Sequence, residues 1–439
     1  METAIRVLDI ILKVFLVMSF YKFVYMIIGF CRKAKTFSVT EKKHRYAIVI
    51  CARNEEKVIG NLLDSIAGQD YPKDKLHVFV IADNCTDETA AIARAKGATV
   101  YERHDLSKAR KGYALEFGFK RIKEDYGIEN FEGYLFFDAD NLLRPDYVTE
   151  MNKAFDTGEL DVIMGYRNTK NFDTNCISAA YGIHFYRSSL TYHRPRQLLN
   201  SATHLAGTGY LVKAEILKDG WRWYCLTEDT QLTLYLVAHG YKIGYCEAAE
   251  FFDEQPVGFG TVIKQRMRWF KGRLYAFFAY AHQEIAGMFK KKTQKWACFD
   301  MLFYAFPYGL VTTVISLAVT ALSVALAVQA GTVMDSYGPL ATLKSMGMDL
   351  LSFWLMTVFT GTVVVIRERK HIHCTTKKLV LYVLLFPWFD FIEIPLAIIS
   401  LFMRVTWKKI KHVDTTRIEQ LVPVKTDVPQ TVIMKDKAS

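Results

Sequence analysis

The sequence predicts an α/β domain with a mainly parallel sheet, joined to helices that enter a membrane. Short apolar runs alternate with helical patterns between residues 46 and 140, the signature of strands joined by crossover helices. The stretch 304–330 carries no charge at all, and roughly 20 apolar residues at about 1.5 Å rise cross a bilayer. Charge is also segregated. Residues 36–255 hold 27 Lys+Arg against 32 Asp+Glu, a net of −5, which leaves +16 on the rest of a chain whose total is +11. With 439 residues, 51% hydrophobic and 14% aromatic, the chain has ample apolar surface to bury and is no disordered polyelectrolyte. Its 25 Gly and 10 Pro exclude collagen and low-complexity linkers, and eight Cys at this length make no disulfide scaffold.

Taken in order, the first element is the apolar run Val7–Phe30, interrupted by Asp9, Lys13 and Lys22. It reads as a transmembrane or an interfacial helix. Arg32, Lys33 and Lys35 follow it with no small-residue cleavage site, which argues against a removed signal peptide. Tyr46–Cys51 is the first strand, followed by a helix through Val58, Ile59, Leu62, Leu63 and Ile66. His77–Ala82 is the second, ending at Asp83, and Thr86-Asp87-Glu88-Thr89 opens the next helix with a Thr cap and acids in the first turn. Ala98–Tyr101 and Tyr134–Phe137 are the third and fourth strands, the latter ending in Asp138-Ala139-Asp140. Ligands of parallel sheets bind outside the C-terminal strand ends, where Asp83, Asp138 and Asp140 fall.

Beyond the sheet, residues 258–283 carry an apolar stripe at helical spacing, Phe259, Ile263, Met267, Phe270, Leu274 and Phe277, expected on the membrane surface. Further apolar runs cover 350–366 and 379–403, the last holding Asp390 and Glu393 between Pro387 and Pro395. Lys and Arg cluster at 32–35, 290–295, 367–378 and 408–411, whereas 331–349 has Lys344 against Asp335 and Asp349. The positive-inside rule then places 331–349 outside and the large block inside. One N-terminal and three later crossings would put the C-terminus outside, yet Lys408, Lys409 and Lys411 argue for inside. The Pro-split 379–403 run is therefore expected to be broken or re-entrant. The expected segments are 1–35, an N-terminal helix; 36–255, a cytosolic domain; 256–297, interface helices; 298–405, transmembrane helices; and 406–439, a tail. The expected location is the cell membrane, multi-pass. The thiols then face a reducing compartment and are expected free.

Several residues carry chemistry. Asp138 and Asp140 project to one side of an extended segment and suit Mg²⁺ or Mn²⁺ bridging a diphosphate; solvated turn acids are the plainer alternative. Thr227-Glu228-Asp229 precedes an apolar-periodic stretch and reads either as helix capping or as a general base kept ionised by the helix N-terminus. Gln265, Arg268 and Trp269 share a helix face. They offer an amide, a guanidinium for phosphate and an indole for a sugar ring; contact of the neighbouring cations with lipid headgroups is the alternative. Basic residues border apolar runs and no nucleic-acid motif occurs, so nucleic-acid binding is set aside.

Asp83, Asp138-Ala139-Asp140, Thr227-Glu228-Asp229 and Gln265-Arg266-Met267-Arg268-Trp269, ahead of apolar spans, together resemble the membrane-embedded glycosyltransferase family 2 of cellulose, chitin and hyaluronan synthases. The resemblance covers roughly 46–275 by motif. It implies a GT-A nucleotide-sugar fold, a Rossmann-like mixed sheet, and an inverting UDP-sugar-dependent hexosyltransferase. By the same resemblance Ala52, Arg53, Asn54, Glu55 and Asp83 hold the uridine. Lys111 lies near the nucleotide, Asp138 and Asp140 bind diphosphate and metal, and Arg266 and Arg268 contact the pyrophosphate. Gly207, Thr208, Gly209, Gln265 and Trp269 meet the acceptor. Asp229, with Glu228 beside it, is the implied catalytic element, Asp229 as base. Trp407 resembles the Trp of a WGTR-like cytoplasmic element. Departures are Asn84 for an Asp or Gly, Tyr113 for a Gly, the absence of an FxVT gating element, and Trp407-Lys408-Lys409-Ile410 for WGTR. The leading expectation is a processive polysaccharide synthase that exports its product, with Asp390, Glu393, Trp388 and Phe389 lining a channel or packing plainly. The alternatives are a single transfer to a membrane lipid and a non-catalytic scaffold or nucleotide-sugar sensor.

Overall fold

The computed structural model describes residues 1–329, 339–405 and 412–422. Trp407 and Lys408, Lys409 and Lys411 lie outside the described residues. Eight strands form one mixed sheet: β1 Tyr46–Ala52, β2 Leu76–Asp83, β3 Thr99–Arg103, β4 Gly133–Asp138, β5 Leu142–Leu143, β6 Val162–Thr169, β7 Tyr210–Lys213 and β8 Ile243–Asp253. The order is β3-β2-β1-β4-β7-β6-β8-β5. The first half is parallel as expected, with Ala52 level with Ala82 and Cys51 level with Asp138. This register brings Arg53, Asp83 and Asp138 to one edge. The second half reverses, because β7 runs antiparallel to both β4 and β6. The central strands β1 and β4 are buried almost throughout, which their unbroken apolar sequence requires of a sheet covered on both faces.

Helices cover the sheet and continue beyond it. In chain order they are α1 Glu2–Ser19, α2 Tyr21–Cys31, α3 Ile59–Ala67, α4 Thr89–Ala95, α5 Lys111–Asp125, α6 Tyr147–Asp156, α7 Cys176–Ser188, α8 Arg194–Leu198, α9 Ala214–Leu217, α10 Glu228–Ala238, α11 Phe259–Gly287, α12 Lys295–Ala305, α13 Tyr308–Gln329, α14 Pro339–Arg367, α15 Thr376–Phe391, α16 Glu393–Phe402 and α17 Ile418–Leu421. Two helix starts differ from expectation. Helix α4 begins at Thr89, not Thr86; the Asp87 carboxylate accepts the Thr89 N–H, while the Thr86 hydroxyl accepts from the Asn54 amide. Thr227 precedes α10 without a side-chain cap bond, because its side chain packs under Gly272 of α11. Within the stripe of α11, Met267 and Phe270 are buried in protein rather than laid on lipid.

Among the described residues four segments are long and apolar enough to cross a membrane: Glu2–Cys31, Tyr308–Gln329, Lys344–Arg367 and Thr376–Phe402. The first three expose large apolar side chains such as Val17, Leu317 and Phe359, as a lipid-facing surface demands. The fourth also exposes large apolar side chains, Val380, Leu381 and Phe402 among them, and in addition bonds to the α/β domain at several points. Lys378 and Tyr382 bond Asp173, Arg187 pairs with Asp390, Arg273 with Glu393, and the Lys271 ammonium donates to the Ser400 carbonyl. The chain then returns to that domain: the Val413 and Asp414 N–H groups donate to Glu254, and Asn61 donates to the Thr415 carbonyl. Asp390 and Glu393 pair with arginines of α7 and α11 while lining the cavity that those arginines also line, and Trp388 stacks edge-on against Trp354.

The first segment is tied down by a buried hub. Arg196, fully buried, pairs bidentately with Asp300 at 2.7 and 2.8 Å. Tyr21 and Tyr25 of α2 donate to the same carboxylate at 2.9 and 3.0 Å. All eight cysteines are free thiols.

Candidate active site

At the C-terminal edge of β1, β2 and β4 a cavity of about 640 Å³ opens. Ala52, Arg53, Glu55 and Asp83 form one end. The Arg53 guanidinium donates to the Asp83 carboxylate at 2.5 Å and to its carbonyl at 2.9 Å, and Arg103 grips the other carboxylate oxygen at 2.6 Å. Asn54 and Asn84 adopt left-handed backbones with φ of 56° and 55°, a conformation asparagine tolerates better than most residues. Asn54 supports the loop through Thr86 rather than facing the cavity.

Lys111, the first residue of α5, ties the motifs together. Its ammonium donates to Asp138 at 2.5 Å and to the Gly207 carbonyl at 2.8 Å, and lies 3.9 Å from Glu228. Burial alone would lower its pKa, but Asp138 and Glu228 overcome that and hold it above the ordinary lysine value. Thr208 is fully buried and accepts the Asp138 N–H, so it positions the strand end instead of lining the cavity. Gly209 has φ of +67°, and a Cβ there would lie 2.0 Å from the Phe251 ring; it is a packing glycine. Of the expected acceptor residues, Gly207, Gln265 and Trp269 line the cavity. The buried Gln265 Oε1 has no hydrogen-bond partner among the described residues.

Glu228 and Asp229 open α10 at the cavity wall. Burial raises both pKa values, Glu228 to about 7 with Asp229 reinforcing and Lys111 opposing. The Asp229 Oδ1 accepts the Thr230 N–H at 2.7 Å. Arg268 lines the cavity and donates to the Leu226 carbonyl at 3.3 Å. Arg266 lines the cavity as well. Its guanidinium donates to the Phe389 carbonyl at 2.6 Å and to Glu393 at 2.8 Å, so it also braces α15 and α16.

The carboxylates Asp138 and Asp140 are hard oxygen donors, the type Mg²⁺ and Mn²⁺ prefer, so the residues present fit a divalent cation. No group of three or more His, Cys, Asp or Glu side chains forms a cage among the described residues, and Mg²⁺ characteristically takes substrate phosphates and water as its other ligands. Asp140 is buried and accepts the Glu254 N–H at 3.1 Å. Sequence reasoning missed Arg103, the Asp253–Arg167 pair behind Asn141, and His412. The His412 imidazole lies 3.2 Å from Glu55; burial alone would lower its pKa, but Asp140, Glu55 and Glu254 push it up to about 10. Asp253 ends an apolar strand as Asp83 and Asp138 do, a signal that was available.

From Asp229 the cavity continues toward the apolar segments, past Tyr304 and Phe303 to Tyr308, Gly309 and Leu310 of α13 and Leu396 and Ala397 of α16. One end thus gathers carboxylates and cations at the strand edge, and the other mixes apolar side chains with charged ones, Lys22, Arg187, Arg273, Asp390 and Glu393. A mixed sheet with acids at its strand ends, backed by such a cavity, defines a nucleotide-sugar-type transferase. The fold matches a solved structure titled mannosyltransferase PcManGT from Pyrobaculum calidifontis in complex with GDP-Man and Mn²⁺, at a TM-score of 0.54 and 15% identity over 82% of this chain and 98% of that one. The fold is GT-A-like. Residues 44–272 match the profile described as "Glycosyltransferase like family 2", more than half the chain, and the protein belongs to glycosyltransferase family 2. It is 26% identical to "Probable glycosyltransferase YdaM" of Bacillus subtilis (strain 168) over 61% of this chain and 63% of that protein. It is 26% identical to the "Beta-monoglucosyldiacylglycerol synthase" of Synechocystis sp. over 53% of this chain and 48% of that protein. The chain spans roughly half to three-fifths of these relatives' length.

Proposed function

We propose that the protein transfers a single sugar from a UDP-sugar to a membrane lipid, with inversion at C1, on the cytoplasmic face of a membrane. The observation that carries this is the continuity of one cavity from Asp83 and Asp138 through Asp229 to Tyr308, Leu310, Leu396 and Ala397. Among the described residues its lining stops at Leu310, the third residue of α13, and takes nothing from α14. A channel for polymer export would be lined turn after turn along spanning helices, so the polysaccharide-synthase reading has less support. The Synechocystis relative is named a beta-monoglucosyldiacylglycerol synthase, which supports a lipid acceptor. Convergence of Lys111, Glu228, Asp229 and Arg268 on one space disfavours a non-catalytic scaffold. The membrane topology that fits has the first three apolar segments crossing and α15–α16 lying along the interface, with both its ends on the domain's side.

In this mechanism Arg53 and Asp83 hold the uridine end, and Lys111 and Arg268 face the diphosphate. Asp229 takes the proton of the acceptor hydroxyl; that oxygen attacks C1 as the C1–phosphate bond breaks, and UDP leaves with the bonding pair. Asp138 and Asp140 would hold a divalent cation, which would supply neutralising positive charge beside the diphosphate. Trp269 and Gln265 orient the acceptor. The mouth offers a direct test. Gly309 lines the mouth and a Cβ there would meet nothing within 4 Å, so Gly309→Phe starts its side chain in open space. It is expected to abolish transfer to lipid in reconstituted vesicles while nucleotide binding persists. Unchanged transfer with the mouth plugged would contradict the reading.

A further inference from the structure

The mouth of the cavity sits where α12 ends at Ala305 and α13 begins at Tyr308, the level at which the chain turns into its apolar span. Aromatic side chains gather there, as they do at membrane interfaces. Lys22 of α2 lines this mouth. Its ammonium lies 4.5 Å from the centroid of the Phe303 ring and 5.4 Å from that of Tyr308.

The other cations on this side of the cavity each hold a carboxylate, two of them sharing one. Arg187 pairs with Asp390, Arg196 with Asp300, and Arg266 and Arg273 both with Glu393. Lys22 has aromatic faces beside it and forms no ion pair among the described residues; Asp300, the carboxylate whose charge reaches it, is already paired with Arg196. A lysine at this depth is costly and normally either pairs or snorkels to the headgroups. Here the ammonium is turned into the cavity, where a ligand would complete it.

We infer that the lipid acceptor carries an oxyanion, a phosphate ester or a carboxylate, close to the hydroxyl that is glycosylated, and that Lys22 holds that oxyanion at the mouth. The inference rests on the lipid-acceptor reading above and names the lipid's chemical class. The oxyanion is not consumed. The hydroxyl proton goes to Asp229, the new bond forms between that oxygen and C1, and the nucleoside diphosphate leaves. Lys22 is a binding and selecting residue, remote from the bond that forms.

The test is native mass spectrometry of the full-length protein in detergent, with dioleoylphosphatidic acid, oleate and dioleoylglycerol as probes. Lys22→Met is expected to weaken anion binding at least about tenfold, the scale of a lost charge-assisted contact, and to leave dioleoylglycerol binding unchanged. Lys22→Arg restores the anions. Lys13→Met removes an equal charge from an exposed ion pair with Asp9 outside the cavity and is expected to change nothing. Loss confined to phosphatidic acid assigns a phosphate ester, and loss confined to oleate a carboxylate. Equal anion binding by wild type and Lys22→Met, or an equal loss in Lys13→Met, overturns the inference. The lipid-acceptor reading fails separately, when the wild type puts no sugar on any lipid while Lys22-dependent binding remains.

Discussion

Replacing Asp229 by Asn removes a proton acceptor and little else. The carboxylate accepts one backbone N–H, from Thr230 at 2.7 Å, which the Asn carbonyl oxygen can also accept, and it forms no ion pair among the described residues. The fold and the donor grip at Arg53, Asp83 and Lys111 are therefore expected to survive. General-base catalysis is worth about 10²–10⁴ in rate, or about 3–5 kcal/mol of barrier at roughly 1.4 kcal/mol per decade. The assay is initial-rate transfer of labelled sugar to extractable lipid, with donor binding measured in parallel. The expected result is a kcat lower by that factor and a donor affinity within about twofold of wild type. A variant turning over within threefold of wild type, or one whose loss lies wholly in donor affinity, refutes the role of Asp229.

The remaining expectations concern pH, charge, metal and packing. Burial raises Asp229, and the base works ionised, so activity falls as pH falls through a value above the ordinary aspartate range of about 3.9; a rate flat to that range contradicts this. Lys111 lowers the same pKa, so Lys111→Met moves the acid limb of the kcat profile to higher pH and weakens nucleotide binding measured by titration. Chelation with EDTA is expected to stop transfer and Mn²⁺ or Mg²⁺ to restore it; indifference to EDTA rules out the role given to Asp138 and Asp140. Asp300→Asn strips a fully buried arginine of its counter-charge, a change that typically costs about 3–5 kcal/mol. Its thermal midpoint in detergent should fall by several degrees, and a midpoint equal to wild type would show that the hub is not what anchors α2.

The parallel half of the sheet was legible because β1, β2 and β4 are apolar runs that end in charge, and burial on both faces enforces that pattern. The site followed from those ends: Asp83 and Asp138 sit at the strand edge by register alone. Helix starts were less legible, since the first N–H of α4, at Thr89, is met by Asp87, next to the Thr86 that the sequence favoured. Long-range partners were not legible. Nothing local links Arg187 to Asp390 or Arg266 to Glu393, residues 203 and 127 apart in sequence, yet those pairs hold α15–α16 against the domain. Lys22 read as an interruption of an apolar run; only the turn between α12 and α13 gives it a place in the cavity.

The central claim is that one cavity joins nucleotide-sugar chemistry to a lipid entering from the bilayer. The most direct measurement is the product itself. Wild-type protein in lipid vesicles, supplied with each of a panel of labelled UDP-sugars, should yield label in the organic extract, on a lipid heavier by one sugar residue. Label in a long water-soluble polymer, with none on lipid, would contradict the account.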